Sequence, residues 1–165
     1  MKRTICMCLG VVCGLLVVSC GRHKVSLPVQ TSLGQLVAIE QKDTVATDKG
    51  AITPGAGEVL YQLTFEGRNE LAYEGKPRED GFARVLVDST LNEFEPAFAG
   101  TPRADGTISH EKWTWTGFYT GDGTGRTVFK GSVALPEPKL TLVYKVPRAA
   151  SGLMLRDGNQ LHPVQ

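Results

Sequence analysis

Glycine and proline break this chain too often for it to build helices. Beyond residue 19 lie 17 of its 19 glycines and all nine prolines, and nearly every stretch meets one within about ten residues. What fills the gaps is short apolar alternation. Val59, Tyr61, Leu63 and Phe65 recur at period two, which puts them on one face of a strand. Leu36 to Ile39, Phe82 to Asp88, Asn92 to Phe98, Lys112 to Thr120, Thr127 to Leu135, Leu140 to Val146 and Leu153 to Arg156 read the same way. Asn92 to Phe98 is expected to pair with Phe82 to Asp88 across an Asp88-Ser89-Thr90 turn. The pattern predicts an all-β chain of about seven to eight strands, an antiparallel sandwich or barrel.

The first twenty residues follow another rule. All four cysteines (Cys6, Cys8, Cys13, Cys20) lie there, whereas all twelve aromatic residues fall between Tyr61 and Tyr144. Met1-Lys2-Arg3 is a basic start, and Thr4 to Val18 is an almost uncharged apolar run, short of the ~20 residues a membrane-spanning helix needs. This is the layout of an export signal. Val17-Val18-Ser19-Cys20 resembles the lipobox of bacterial lipoproteins, which implies cleavage between Ser19 and Cys20 and acylation of Cys20. Residues 1–19 are then a signal peptide. A 146-residue mature chain would carry no second cysteine, and loss of Lys2 and Arg3 turns the net charge from +1 to −1. No strong field remains to attract nucleic acid. Two or more acyl chains hold a protein on a bilayer stably, where one binds marginally. The expected location is the cell envelope, lipid-anchored through Cys20, at the outer membrane if the cell is Gram-negative. Polar residues 20–34, with Arg22, His23, Lys24, Pro28 and Gln30, read as a flexible tether, and 35–165 as the folded domain.

Three stretches carry a resemblance: Gly57 to Asn69; Leu86-Val87-Asp88 with Glu93-Phe94-Glu95-Pro96; and Leu142 to Leu155, an apolar strand ending in Val146-Pro147, a bend of small residues and a last apolar strand. Together they resemble a family of uncharacterised bacterial lipoprotein domains, some of whose members are called telomeric-repeat-binding by mistaken transfer. The resemblance implies an immunoglobulin-like antiparallel β-sandwich. It implies no catalytic residue and no cofactor. Where that family has a Pro-Gly pair before the Val-Pro strand, this chain has Pro136-Glu137-Pro138.

Few residues suit chemistry. His23 lies in the tether and His162 near the end. His110 precedes Glu111, but Thr114 stands where a metalloprotease helix needs its second histidine. The cysteines lack the partners that would make up four zinc ligands. No Gly-x-Ser-x-Gly elbow occurs, so an envelope hydrolase, with Asp88, Ser109 and His110 as first suspects, is the minor reading. Gly121-Asp122-Gly123-Thr124-Gly125-Arg126 lacks the Lys-Ser/Thr end of a phosphate loop and offers one carboxylate to calcium; it reads as a hairpin turn. The mixed charges from Glu66 to Asp80 read as a solvated loop. Trp113, Trp115 and Tyr119 share one strand face, either as core packing or as an aromatic binding strip. The expected role is non-enzymatic: binding a protein or an envelope component, or acting as a structural envelope spacer or stress-related lipoprotein.

Overall fold

The computed structural model describes residues 25–75, 84–121, 123 and 127–165. The expected signal segment 1–19, the expected cleavage pair Ser19 and Cys20, the remaining cysteines, and most of the expected Gly121–Arg126 turn lie outside the described residues. So does the first part of the expected Phe82 strand. What is described is all-β and sandwich-like, with no helix.

An eight-stranded sheet is the base. In spatial order it runs β1 (Val29–Thr31), β2 (Gly34–Lys42), β5 (Glu58–Glu66), β13 (Lys139–Pro147), β9 (Pro96–Pro102), β10 (Ile108–Ser109), β3 (Val45–Thr47) and β4 (Gly50–Ile52). A three-stranded sheet orders β11 (Thr114–Gly121), β12 (Thr127–Ala134) and β6 (Glu70–Gly75). A four-stranded sheet orders β15 (Gln160–Pro163), β14 (Met154–Asp157), β7 (Leu86–Val87) and β8 (Glu93–Phe94). The expected count of seven to eight strands is therefore too low. Several segments have only two to four residues, too short for alternation to reveal them.

All three sheets contribute to one apolar core. Leu36, Tyr61, Leu63, Phe65, Leu140, Leu142, Tyr144 and Val146 come from the large sheet, Leu71, Phe129 and Val133 from the three-stranded one, and Leu86 and Leu155 from the four-stranded one. The period-two face of β5 points inward as its sequence predicts. Each fully buried aliphatic side chain contributes about 1.5–3 kcal/mol, which lets a core without internal disulfides hold.

The large sheet also folds over itself. Laid flat, β2 and β3 would stand about 24 Å apart, five strand spacings, yet only Asp43 and Thr44 separate them, a reach of about 11 Å. The sheet must curl. Its outer face then acquires a second small core, in which Leu60 of β5 and Val143 of β13 meet Val45 of β3 and Ile108 of β10. The β3–β10 contact is a parallel pair (Ile108 opposite Thr47) in a structure otherwise paired antiparallel among the described residues.

The expected solvated loop from Glu66 to Asp80 contains a strand, β6, paired with β12, and two further findings correct the sequence reading. Regular structure begins within the stretch taken as a tether: Val29, Gln30 and Thr31 pair with Leu36, Gln35 and Gly34. Thr31 and Leu33 are buried, and Leu27 packs on the core. The Thr31 hydroxyl donates to the Gly34 carbonyl (2.7 Å) and accepts from the Leu33 amide (3.1 Å), closing the turn. Gly34 has a φ of 115°, and a Cβ there would stand 2.4 Å from the Glu66 carbonyl oxygen, so the turn needs glycine. Secondly, Asn92 to Phe98 does not form one strand. Glu93–Phe94 pairs with Leu86–Val87 as expected, but from Pro96 the chain leaves for the large sheet and runs beside β13.

Tyr144 ties the sheets together. Its buried phenol donates to the Arg84 carbonyl at 3.0 Å, and burial pushes its pKa far up, so it stays a neutral donor. Tyr144→Phe should leave that carbonyl without its donor and cost about 1 kcal/mol. Urea unfolding at pH 7 should show a lower midpoint at unchanged slope.

Candidate interaction surface

The β11–β12 hairpin presents the aromatic residues that the sequence brought forward. Its register runs from Thr114 opposite Ala134 to Gly121 opposite Thr127, with Gly117 facing Gly131. The strands come too close at that pair for any side chain. A Cβ on Gly131 would lie 2.1 Å from the Thr116 carbonyl oxygen, and one on Gly117 would lie 2.6 Å from the Phe129 ring. Phe129 occupies the space that the glycine leaves.

Aromatic rings form a connected line along this face. Phe98 and His110 stand 5.5 Å apart, His110 and Trp113 6.1 Å, Trp113 and Trp115 6.1 Å, Trp115 and Phe129 6.0 Å, and Phe129 and Tyr119 5.5 Å. Edge-on and tilted contacts at such distances are the favoured ring geometries. The Trp113 indole N–H donates to the Thr101 hydroxyl at 3.0 Å, pinning this line to β9. The predicted strip is thereby divided. Trp113 and Trp115 are half-buried against the main core, while Tyr119 is 62% exposed and Phe118, on the opposite face, 64%. The open end of the line lies on β11, an edge strand exposed along most of its length.

A cleft of about 410 Å³ lies close by, with Thr101, Arg103, Ser109, Glu111, Lys112 and Glu137 among its lining. The curl of the large sheet assembles its polar wall. Ser109 Oγ donates to Asp48 Oδ2 (2.7 Å), and accepts from Arg103 Nη2 (2.8 Å) and from the Glu111 amide (3.2 Å). Arg103 also pairs with Glu111, and the bond to that carboxylate, above all, raises the guanidinium's pKa.

This arrangement separates the three hydrolase suspects. The Ser109 proton is directed to Asp48, the His110 ring lies between Phe98 and Trp113, and Asp88 lies in the turn joining β7 to β8. No described hydrogen bond joins any two of the three side chains. Among the described residues, no group of three or more His, Cys, Asp or Glu side chains stands ready to hold a metal ion.

Asp88 performs structural work instead. Its Oδ1 accepts from the Thr90 amide and hydroxyl and from the Asn92 amide, and Oδ2 accepts from the Asn92 side chain, all at 2.8–2.9 Å. These bonds hold Leu91 at a φ of 65°, a conformation that costs a bulky residue energy. A second carboxylate cluster had no sequence signal. Asp157 receives the Ser32 amide at 2.6 Å, bonds the Ser32 hydroxyl and pairs with the Arg84 Nε at 2.8 Å. Burial acts to raise the Asp157 pKa, but the Ser32 bonds and the charges of Arg84 and His162 outweigh it and leave it lowered. The chain matches no protein-family model, no curated protein and no solved structure.

The Asn92 side-chain bond, followed by those from Thr90, brings the Asp88 pKa down from 3.8 to about 2 against its burial. A lowered acid stabilises the fold fully above its unfolded value and loses that contribution as pH falls through the folded value. Asp88→Asn should therefore melt at a lower temperature than wild type at pH 7. The gap should narrow between pH 3.8 and about 2, and melting curves across that window would measure it.

Proposed function

We propose that the chain is a lipid-anchored cell-envelope protein whose immunoglobulin-like β-sandwich domain binds a protein or envelope component rather than catalysing a reaction. The observation that carries the binding role is the β11 edge, an exposed backbone with Phe118 and Tyr119 projecting from its two faces. An open edge offers N–H and C=O groups to an added strand, and aromatic side chains supply contact area at low entropic cost. The polar cleft beside it adds charged rim residues, Lys112 and Glu137 among them.

The non-catalytic reading draws on Ser109. A hydroxyl that donates to a carboxylate and accepts twice has no free lone pair for an acyl group, and the neighbouring His110 imidazole makes tilted and edge-on contacts with Phe98 and Trp113. The immunoglobulin-like reading draws on the three stretches of resemblance and on the two small sheets sharing a core with one side of the large one. Anchoring draws on Val17-Val18-Ser19-Cys20. With Leu27 packed on the core and a strand paired from Val29 onward, residues 20–26 would be the span between lipid and domain, at most about 25 Å when extended. This keeps the domain within a few nanometres of the bilayer.

Cys20→Ser tests the anchor. Metabolic labelling with a fatty acid should mark the wild-type protein and not the variant, and the variant should keep its signal segment or appear in the soluble fraction. Equal labelling of both would overturn the assignment.

A further inference from the structure

Edge strands invite pairing with other chains, and proteins blunt them with short length, charge, proline or cover. The other edges here follow that rule. β1, β4 and β8 have two or three residues, β6 carries Glu70 and Glu74, and β15 ends in Pro163. β11 does not. It has eight residues, Thr-Trp-Thr-Gly-Phe-Tyr-Thr-Gly, with no charge and no proline. Every other strand of eight or more residues carries at least one charged side chain: Glu40 and Lys42 in β2, Glu58 and Glu66 in β5, Lys130 in β12, Lys139 and Lys145 in β13.

We infer that β11 pairs with β11 of a second copy of this chain, antiparallel about a two-fold axis, to join two three-stranded sheets into one of six strands. The inference rests on the binding role assigned to this edge and names its occupant. Charge selects that occupant. A partner strand laid along this edge meets eight uncharged positions, and among the described strands of eight or more residues β11 is the uncharged one. Two copies bring no like charges opposite each other, which is the usual bar to self-pairing.

Side-chain parity narrows the register. In a continuous antiparallel sheet with the axis normal to it, paired residues share a face, so the axis passes through a residue. Centred on Gly117, it sets Trp115 opposite Tyr119 of the second copy and Thr116 opposite Phe118. Centred on Phe118, it sets the two Phe118 rings together, Thr116 against Thr120, and Tyr119 opposite Gly117, beside the Phe129 ring that fills the space over that glycine. Both registers put exposed Phe118 and Tyr119 into cross-strand pairs, the unit that stabilises sheets.

The experiment is sedimentation of full-length protein, solubilised in detergent, across a concentration series. Wild type should move from monomer to dimer. Phe118→Lys, and separately Thr116→Lys, should raise the dimer dissociation constant at least about tenfold while melting near the wild-type temperature. Mixing Phe118→Lys with Phe118→Glu should restore the dimer, because the two position-118 side chains face each other in the Phe118-centred register and are diagonal neighbours on the same face in the Gly117-centred one, so opposite charges meet in either; a folding defect would not be rescued this way. A wild type that stays monomeric, a dimer indifferent to both lysine variants, or a mixture that remains monomeric would overturn the inference. If monomeric wild type instead retains a different protein that Phe118→Lys releases, self-pairing falls and the binding role of the edge stands.

Discussion

The fold depends on burying both faces of β13. From Leu140 to Tyr144 five consecutive residues are buried, which a strand can achieve only when both surfaces of its sheet are covered. The inner surface is covered by the two smaller sheets. The outer is covered by the far end of the same sheet, where Val45 and Ile108 close over Leu60 and Val143. The short Asp43–Thr44 link makes that closure compulsory. The same closure brings Asp48 to Ser109, so one topological constraint produces both the second core and the polar wall of the cleft.

Strand grammar was legible wherever a segment was long enough to alternate. Val59, Tyr61, Leu63 and Phe65 behave as read, and the β11–β12 hairpin falls where its glycine-rich connection placed it. The turns were harder. Thr31-Ser32-Leu33-Gly34 and Thr47-Asp48-Lys49-Gly50 are the same device used twice. In each the threonine hydroxyl donates to the glycine carbonyl, at 2.7 and 2.6 Å, and accepts an amide two residues on. A polar, glycine-ended stretch therefore looked like a tether when it was a folded turn. Had the threonine-to-glycine spacing been read as hydroxyl chemistry, the domain start would have moved to Val29.

The aromatic surface was half legible. Period two placed Trp113, Trp115 and Tyr119 on one face, but burial along that face changes within a few residues, and alternation carries no information about how far a hairpin projects beyond its core. Asp88-Ser89-Thr90-Leu91-Asn92 had the composition of a side-chain-bonded turn, and its carboxylate could have been assigned to that work. Asp48 with Ser109, and Ser32 with Asp157, are 61 and 125 residues apart. Contacts of that range depend on which strands become neighbours, and no local pattern encodes them.

The Ser32–Asp157 contact also fixes how the domain would carry a load. A pull on its N-terminal end meets Leu27 on the core and then β1, whose three residue pairs with β2 would open one after another from Val29. The force then arrives at Ser32, where a carboxylate at the end of β14, itself held by Arg84, takes it up through several bonds at once. Ser32 thus joins the end of the first strand to one of the last, a second attachment behind three strand pairs.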